Sequence, residues 1–175
     1  MFIMIYRFFI FLIFISCGTN KMETNVISDP EISSFCPEDG TCTFEILNNK
    51  KLDITYYNIN KPSPQVVSGS NIVIQFEYKR HEIPNSVDGN YSEFLYLELP
   101  KNKLEQQLKD VKLQEVKLLF GRICYCKGQT GYYKITQGML SIKKHNSDNI
   151  YDFSLKFKTD EVPQIITEVK ETFRL

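Results

Sequence analysis

Between Ile150 and Lys158 apolar and polar residues alternate without a break, with Tyr151, Phe153, Leu155 and Phe157 on one side and Asp152, Ser154, Lys156 and Lys158 on the other. Successive side chains leave a strand on opposite faces, so a period of two marks a strand buried on one side. The pattern recurs where Ile72, Ile74, Phe76 and Tyr78 alternate with Val73, Gln75, Glu77 and Lys79. Strands of this kind must lay their apolar face on a second sheet or close on themselves. The chain also has no Ala, the strongest helix former, and no Trp, whereas Phe, Tyr and Ile are abundant. The expectation is an all-β, mainly antiparallel fold, a β-sandwich or small barrel of about seven or eight strands.

Turn chemistry divides the rest. Thr41 to Leu47 and Leu52 to Tyr56 are expected as a hairpin turned by Asn48-Asn49-Lys50, followed by a loop carrying Pro62, Pro64 and Gly69. Arg80 to Tyr91 is a loop, and Glu93 to Leu99 is a strand apolar on both faces. Asn102-Lys103-Leu104-Glu105 has the spacing of a capping box, which predicts at most one short helix near 102–110. Lys112 to Cys126 is expected as one long strand. Strict alternation there would put Arg122 beside Phe120, so a bulge at Gly121 is expected, turning Ile123 and Tyr125 inward and Arg122, Cys124 and Cys126 outward. Lys127 to Gly131 turns into the strand Tyr132 to Lys143, with Gly138 a possible second bulge. Segment 164–173 suits either a strand or a helix opened by Asp160 and Pro163, since Ile165, Val169 and Phe173 share a side in both; the β-branched run Ile165-Ile166-Thr167 tips the expectation to strand.

Met1 to Ile15 is almost wholly apolar, with Arg7 its one charge. The run is shorter than the roughly 20 residues a spanning helix needs, and its layout is that of a secretory signal. Phe14-Ile15-Ser16-Cys17 resembles the lipobox of bacterial lipoprotein precursors, with Phe14 where an aliphatic residue is usual. The resemblance implies cleavage before Cys17, a diacylglycerol on its thiol and a further acyl chain such as palmitate. On this reading residues 1–16 are a signal peptide, 17–35 a Ser-, Asn- and acid-rich tether, and 36–175 a single β-rich domain. The expected location is a bacterial envelope, at the outer membrane, with the lipid as the membrane partner.

Outside the reducing cytoplasm the remaining cysteines are disulfide candidates: Cys36 and Cys42 in CPEDGTC, Cys124 and Cys126 in CYC. Residues i and i+2 of a strand lie near the upper limit for a bridge, so pairing between the two clusters is favoured over pairing within them. A CxC pair also places two soft thiolates on one face, which motivates a redox or metal-binding alternative. The two histidines, His81 and His145, fall in loops away from both clusters, and no metal set or cofactor site is assigned.

No nucleophile elbow, zinc-protease motif, phosphate-binding loop or dinucleotide fingerprint is present, and no catalytic residue is assigned. Basic and acidic residues balance at 21 each, and the basic pairs Lys50-Lys51 and Lys143-Lys144 fall in expected turns, which argues against nucleic acid as a partner. Arg122, Tyr125, Tyr132 and Tyr133 gather around the CYC pair as a possible interface, since Tyr and Arg are enriched where proteins meet. CPEDGTC, LLFGRICYCKGQTGYY and EVPQIITE, together with the signal, are similar to small lipoproteins of flavobacteria and their relatives. The expectation is therefore a membrane-anchored envelope lipoprotein, a non-catalytic binding or structural module with an envelope protein as partner. The alternatives are a small-ligand carrier resembling lipocalin-like barrels, and a redox or metal-binding protein using the CYC pair.

Overall fold

A computed structural model describes residues 36–57, 61–82, 84–86, 88–145 and 149–175. Cys17, the signal segment and the tether lie outside the described residues. One sheet has five strands in the order β1 (Gly40–Tyr57), β2 (Lys61–Arg80), β3 (Tyr91–Leu99), β5 (Leu119–Cys124) and β6 (Gly131–Lys134). The other has four, in the order β4 (Gln106–Lys109), β7 (Gln137–Lys144), β8 (Ile150–Lys158) and β9 (Glu168–Arg174). All described pairings are antiparallel and both sheets are open, so the architecture is a β-sandwich rather than a closed barrel.

The core follows from the alternation. Phe76, Ile74 and Ile72 of β2, Leu95, Leu97 and Leu99 of β3 and Phe120 of β5 face Leu140, Ile142, Phe153, Leu155, Phe157 and Val169 of the second sheet. Aromatic pairs join the layers: Phe44 meets Phe153 at 5.2 Å between ring centroids, and Phe120 meets Phe157 at 5.7 Å.

The first hairpin differs from the expectation. Asn48-Asn49-Lys50 does not turn the chain; β1 runs through it and pairs along its length with β2, with a register irregularity between Asn48 and Lys51 and Asn49 at φ 56°. Lys50-Lys51 thus lies within a strand, and the segment with Pro62, Pro64 and Gly69 is strand, not loop. Prolines are tolerated there because this half of β2 pairs only with β1, leaving no second neighbour to demand its N–H groups.

This outer half of the ribbon folds back over the far side of the first sheet. The backbone N–H of Leu52 donates to Glu98 at 2.8 Å, and Lys117 Nζ bridges the Leu52 carbonyl at 3.1 Å and the Glu98 carboxylate at 2.7 Å. Asn71 Nδ2 donates to the other Glu98 oxygen. Farther out, Lys134 Nζ stands 5.0 Å from the Tyr56 ring and Lys61 Nζ 5.3 Å from that of Tyr133. Leu52, Val73 and Leu119 are buried on this side, apart from the main core. The β3–β5 region therefore has both faces covered.

The capping-box helix is not formed. Gln106 to Lys109 is strand β4, its Gln106 and Leu108 buried in alternation and paired with β7, and the helical turn comes later as a 3₁₀ helix, Asp110–Val116. That turn shortens the expected long strand to Leu119–Cys124. Gly121 carries no bulge: the β3–β5 register is continuous, so Arg122 and Cys124 share the inner face with Phe120, while Ile123 points outward at 40% exposure. Glycine is required instead because a Cβ there would lie 2.6 Å from the Tyr132 ring. Gly138 is likewise in register, at φ +144° against the backbone of Lys156. The last strand forms as β9, beginning at Glu168 rather than 164.

Candidate functional site at the disulfide-braced end of the sandwich

One end of the sandwich gathers most of the chain's chemistry. Register places Cys42, Tyr78, Glu93 and Arg122 in a single row across β1, β2, β3 and β5, with Tyr91 opposite Cys124 in the next row. Both disulfides lie here, and they pair within each cluster: Cys36 with Cys42, Cα atoms 5.6 Å apart, and Cys124 with Cys126, 5.2 Å apart. Cross-cluster pairing is therefore not what forms. Pro37 to Gly40 makes a tight turn, the Gly40 N–H donating to the Pro37 carbonyl, which returns Cys36 to Cys42. The second pair reaches bridging distance because the strand ends at Cys124 and the chain bends at Tyr125.

The bridges differ in what they do for folding. By loop-closure entropy the seven-residue loop at Cys36–Cys42 is worth about 2.4 kcal/mol and the three-residue loop at Cys124–Cys126 about 1.6 kcal/mol.

Beside them lies a buried polar network. Arg122 is only 8% exposed, yet its charge is accommodated: Nη1 donates to Gln129 Oε1 at 2.6 Å, Nε to the Tyr91 hydroxyl at 3.3 Å, and the guanidinium carbon stands 5.3 Å from the Tyr91 ring centroid. Tyr91 in turn donates to Glu93 at 2.5 Å, and burial with this bond pushes its phenol up to about 12. Glu93 also accepts the consecutive backbone amides of Ile165 and Ile166, at 2.6 and 2.7 Å, fastening the segment between β8 and β9 to the first sheet. Burial raises the Glu93 carboxyl above its ordinary value, against the pull of Tyr91, the two amides and Arg122.

The Tyr91 ring also carries Arg80, its guanidinium carbon 4.6 Å from the centroid. Arg80 Nε pairs with Asp39 at 3.3 Å, and Tyr78 donates to Asp39 at 2.7 Å. The Tyr78 hydroxyl, then Arg80, hold the Asp39 carboxyl below its ordinary value. The donors around Glu93 and Asp39 are thus internal ones, and the network fastens β2, β3, β5 and the 165–166 segment to one another.

The four possible interface residues are separated by this geometry. Arg122 and Tyr133 face inward and are buried, Tyr132 lies half-buried on the opposite face with its ring 6.0 Å from that of Tyr96, and Tyr125 alone is open to solvent, at 83% exposure. The buried partners Tyr91 and Glu93 and the exposed turn residue Gln129 are missing from the sequence reading. Strict alternation through Gly121 carries the signal for them: an arginine in line with Phe120 demands a carboxylate on the same face of a neighbouring strand, and Glu93 opens the most apolar strand in the chain.

Elsewhere, a surface cleft of about 540 Å³ lies between the start of the 3₁₀ helix and β7 to β9. Its lysines are neutralised, Lys156 by Glu168 at 3.5 Å and Lys158 by Asp160. Among the described residues, no group of three or more His, Cys, Asp or Glu is placed to hold a metal ion, and no helix is long and apolar enough to cross a membrane. The fold and site together define a two-sheet, disulfide-braced β-sandwich. No protein-family model matches the chain, and no curated protein or solved structure matches it significantly.

Proposed function

We propose that the chain is an envelope lipoprotein, anchored through lipid on Cys17, whose β-sandwich is a non-catalytic recognition module. The observation that carries the recognition role is Tyr125. It stands 83% exposed between two bonded cysteines, so its backbone is held by a three-residue covalent loop. Beneath that loop Arg122 and Gln129 tie the hairpin together. A large amphipathic ring held in advance loses little entropy on contact, which is what a binding anchor needs. The open sheets and filled core support recognition at the surface over enclosure of a ligand, as a lipocalin-like carrier would require.

Two experiments test this. A photo-crosslinking residue at position 125, in the native envelope, should give a discrete adduct that the same residue at exposed Lys109 does not; equal labelling at both positions would sink the recognition role. Replacing Cys17 with Ser should release the chain from membranes and remove the acyl mass. Unchanged retention and mass would refute the anchor.

A further inference from the structure

The Cys124–Cys126 bridge is redundant for the hairpin that contains it. The hairpin is already closed by the ladder from Arg122/Gly131 to Leu119/Lys134, by Thr130 Oγ1 donating to the Arg122 carbonyl at 3.2 Å, by Arg122 Nη1 on Gln129, and by the Gln129 N–H on the Cys126 carbonyl at 3.0 Å. Opening the S–S bond leaves all of these in place, so oxidised and reduced forms share one fold. The loop it closes is also the smaller of the two, so little unfolded-state constraint is lost on reduction. Both sulfurs belong to partly exposed residues at a surface loop.

Two arginines belong to the network that Cys124 adjoins. Arg122 precedes Cys124 by two positions on the same face of β5, and the ring of Tyr91, its cross-strand neighbour, has the guanidinium carbons of Arg80 and Arg122 4.6 and 5.3 Å from its centroid. Two carboxylates face these groups, and each is already engaged: Asp39 with Arg80 and Tyr78, Glu93 with Tyr91 and two backbone amides. Arg122 is the same-face cation that precedes Cys124 on β5, and positive charge so placed favours a thiolate over a thiol.

We propose that Cys124–Cys126 is a thiol–disulfide exchange site that accepts two electrons from a dithiol on an envelope protein or peptide. A thiolate of that dithiol attacks the Cys126 sulfur, a mixed disulfide forms, and the S–S bond breaks with Cys124 leaving as the thiolate on the face it shares with Arg122. The second thiol, having lost its proton to water, attacks the mixed disulfide at the partner's sulfur. The partner leaves as a disulfide, and Cys126 departs as a thiolate that takes up a proton. The chain is reduced by two electrons and the dithiol oxidised by two; a second disulfide reoxidises the pair by the reverse exchange. Opening the bridge also releases the backbone on either side of Tyr125, so exchange and recognition through that ring share one loop; the exchange itself does not depend on the lipid.

The test is redox titration of the purified chain in mixtures of reduced and oxidised dithiothreitol, quenched with acid, alkylated, and read by intact mass and peptide mapping. The expected result is that Cys124–Cys126 opens at a dithiol-to-disulfide ratio at least ten-fold lower than Cys36–Cys42, with the cooperative thermal transition retained in the two-thiol form. In single variants, the lone Cys124 of C126S should react with an aromatic disulfide at pH 6 at least ten-fold faster than the lone Cys126 of C124S. Simultaneous opening of the two bridges, opening only with loss of the folded signal, or equal reactivity of the two lone cysteines would each overturn the proposal.

Discussion

Removing the carboxylate of Glu93 should be among the most damaging single changes available to this fold. Glu93→Ala leaves the amides of Ile165 and Ile166 and the Tyr91 hydroxyl without their acceptor, and it strips Arg122 of the negative charge facing it. Each orphaned buried donor costs about 1 to 3 kcal/mol, and breaking a buried ionic arrangement from one side costs about 3 to 5 kcal/mol, so a loss of about 3 to 5 kcal/mol is expected. At about 2 to 4 °C per kcal/mol for a chain of this size, Tm should fall by roughly 6 to 20 °C. Glu93→Gln preserves the shape and one acceptor oxygen. If that oxygen occupies the Oε1 position it keeps the bonds from Tyr91 and Ile165 and loses the one from Ile166, a cost of about 1 to 2 kcal/mol. Thermal unfolding followed by circular dichroism, with both disulfides intact, measures the order, and amide exchange at Ile165 and Ile166 should accelerate in the alanine variant. A loss below about 1 kcal/mol for Glu93→Ala, or unchanged exchange at those two amides, would refute the reasoning.

Glu93 and Glu98 should give opposite pH dependences. Burial raises the folded Glu93 carboxyl above 4.5, so the folded chain binds this proton first on acidification and the stability advantage of wild type over Glu93→Gln should widen as pH falls through the folded value and be complete below 4.5. Burial alone would also raise Glu98, but Lys117, Asn71 and the Leu52 amide outweigh it and hold the carboxyl below 4.5. Its contribution is complete above that value and fades as pH falls through the folded one, so the advantage over Glu98→Gln should shrink below about pH 4.5; urea titrations across this range read both slopes. Leu52→Ala should cost about 2 to 4 kcal/mol and open the outer half of the β1–β2 ribbon to protease, with cleavage confined to residues 50–68. Gly138→Ala should destabilise more than Gly121→Ala, by urea midpoint: a Cβ at 138 meets the fixed Lys156 carbonyl at a positive φ, whereas at 121 it meets the movable ring of Tyr132.

Alternation made the inner half of β2 and all of β8 legible because each has one covered face there, and those strands imply a sandwich or a small barrel. What it could not show is that the ribbon's outer half covers a second face. Asn48-Asn49-Lys50 is locally a good turn, and only contacts from Glu98 and Lys117, far along the chain, make it a bend within a strand instead. Similarly, the helical signal at 102–105 is overridden when Gln106 and Leu108 find a partner in β7. The disulfide cluster and Tyr125 could be picked out from residue type, but the fate of Arg122 depended on Tyr91 and Glu93, some thirty residues earlier on β3, and on Gln129 in the hairpin turn. Physical intuition against burying a guanidinium misjudged the site because the compensating groups are distant in sequence.

The folded-back ribbon also constrains the order in which the chain assembles. β1 and β2 are joined through residues 58–60, so their contacts are local and can zip from the closed end within microseconds. The half that zips first is the half whose final seat is built from Val73, Glu98, Lys117 and Leu119, much of it synthesised later. The ribbon must form as a straight, unsupported hairpin and bend at Asn49 only after β3 and β5 have paired. That places the bend late in folding, on the native side of the rate-limiting barrier, so substitutions at Leu52 should quicken unfolding while leaving the folding rate nearly unchanged.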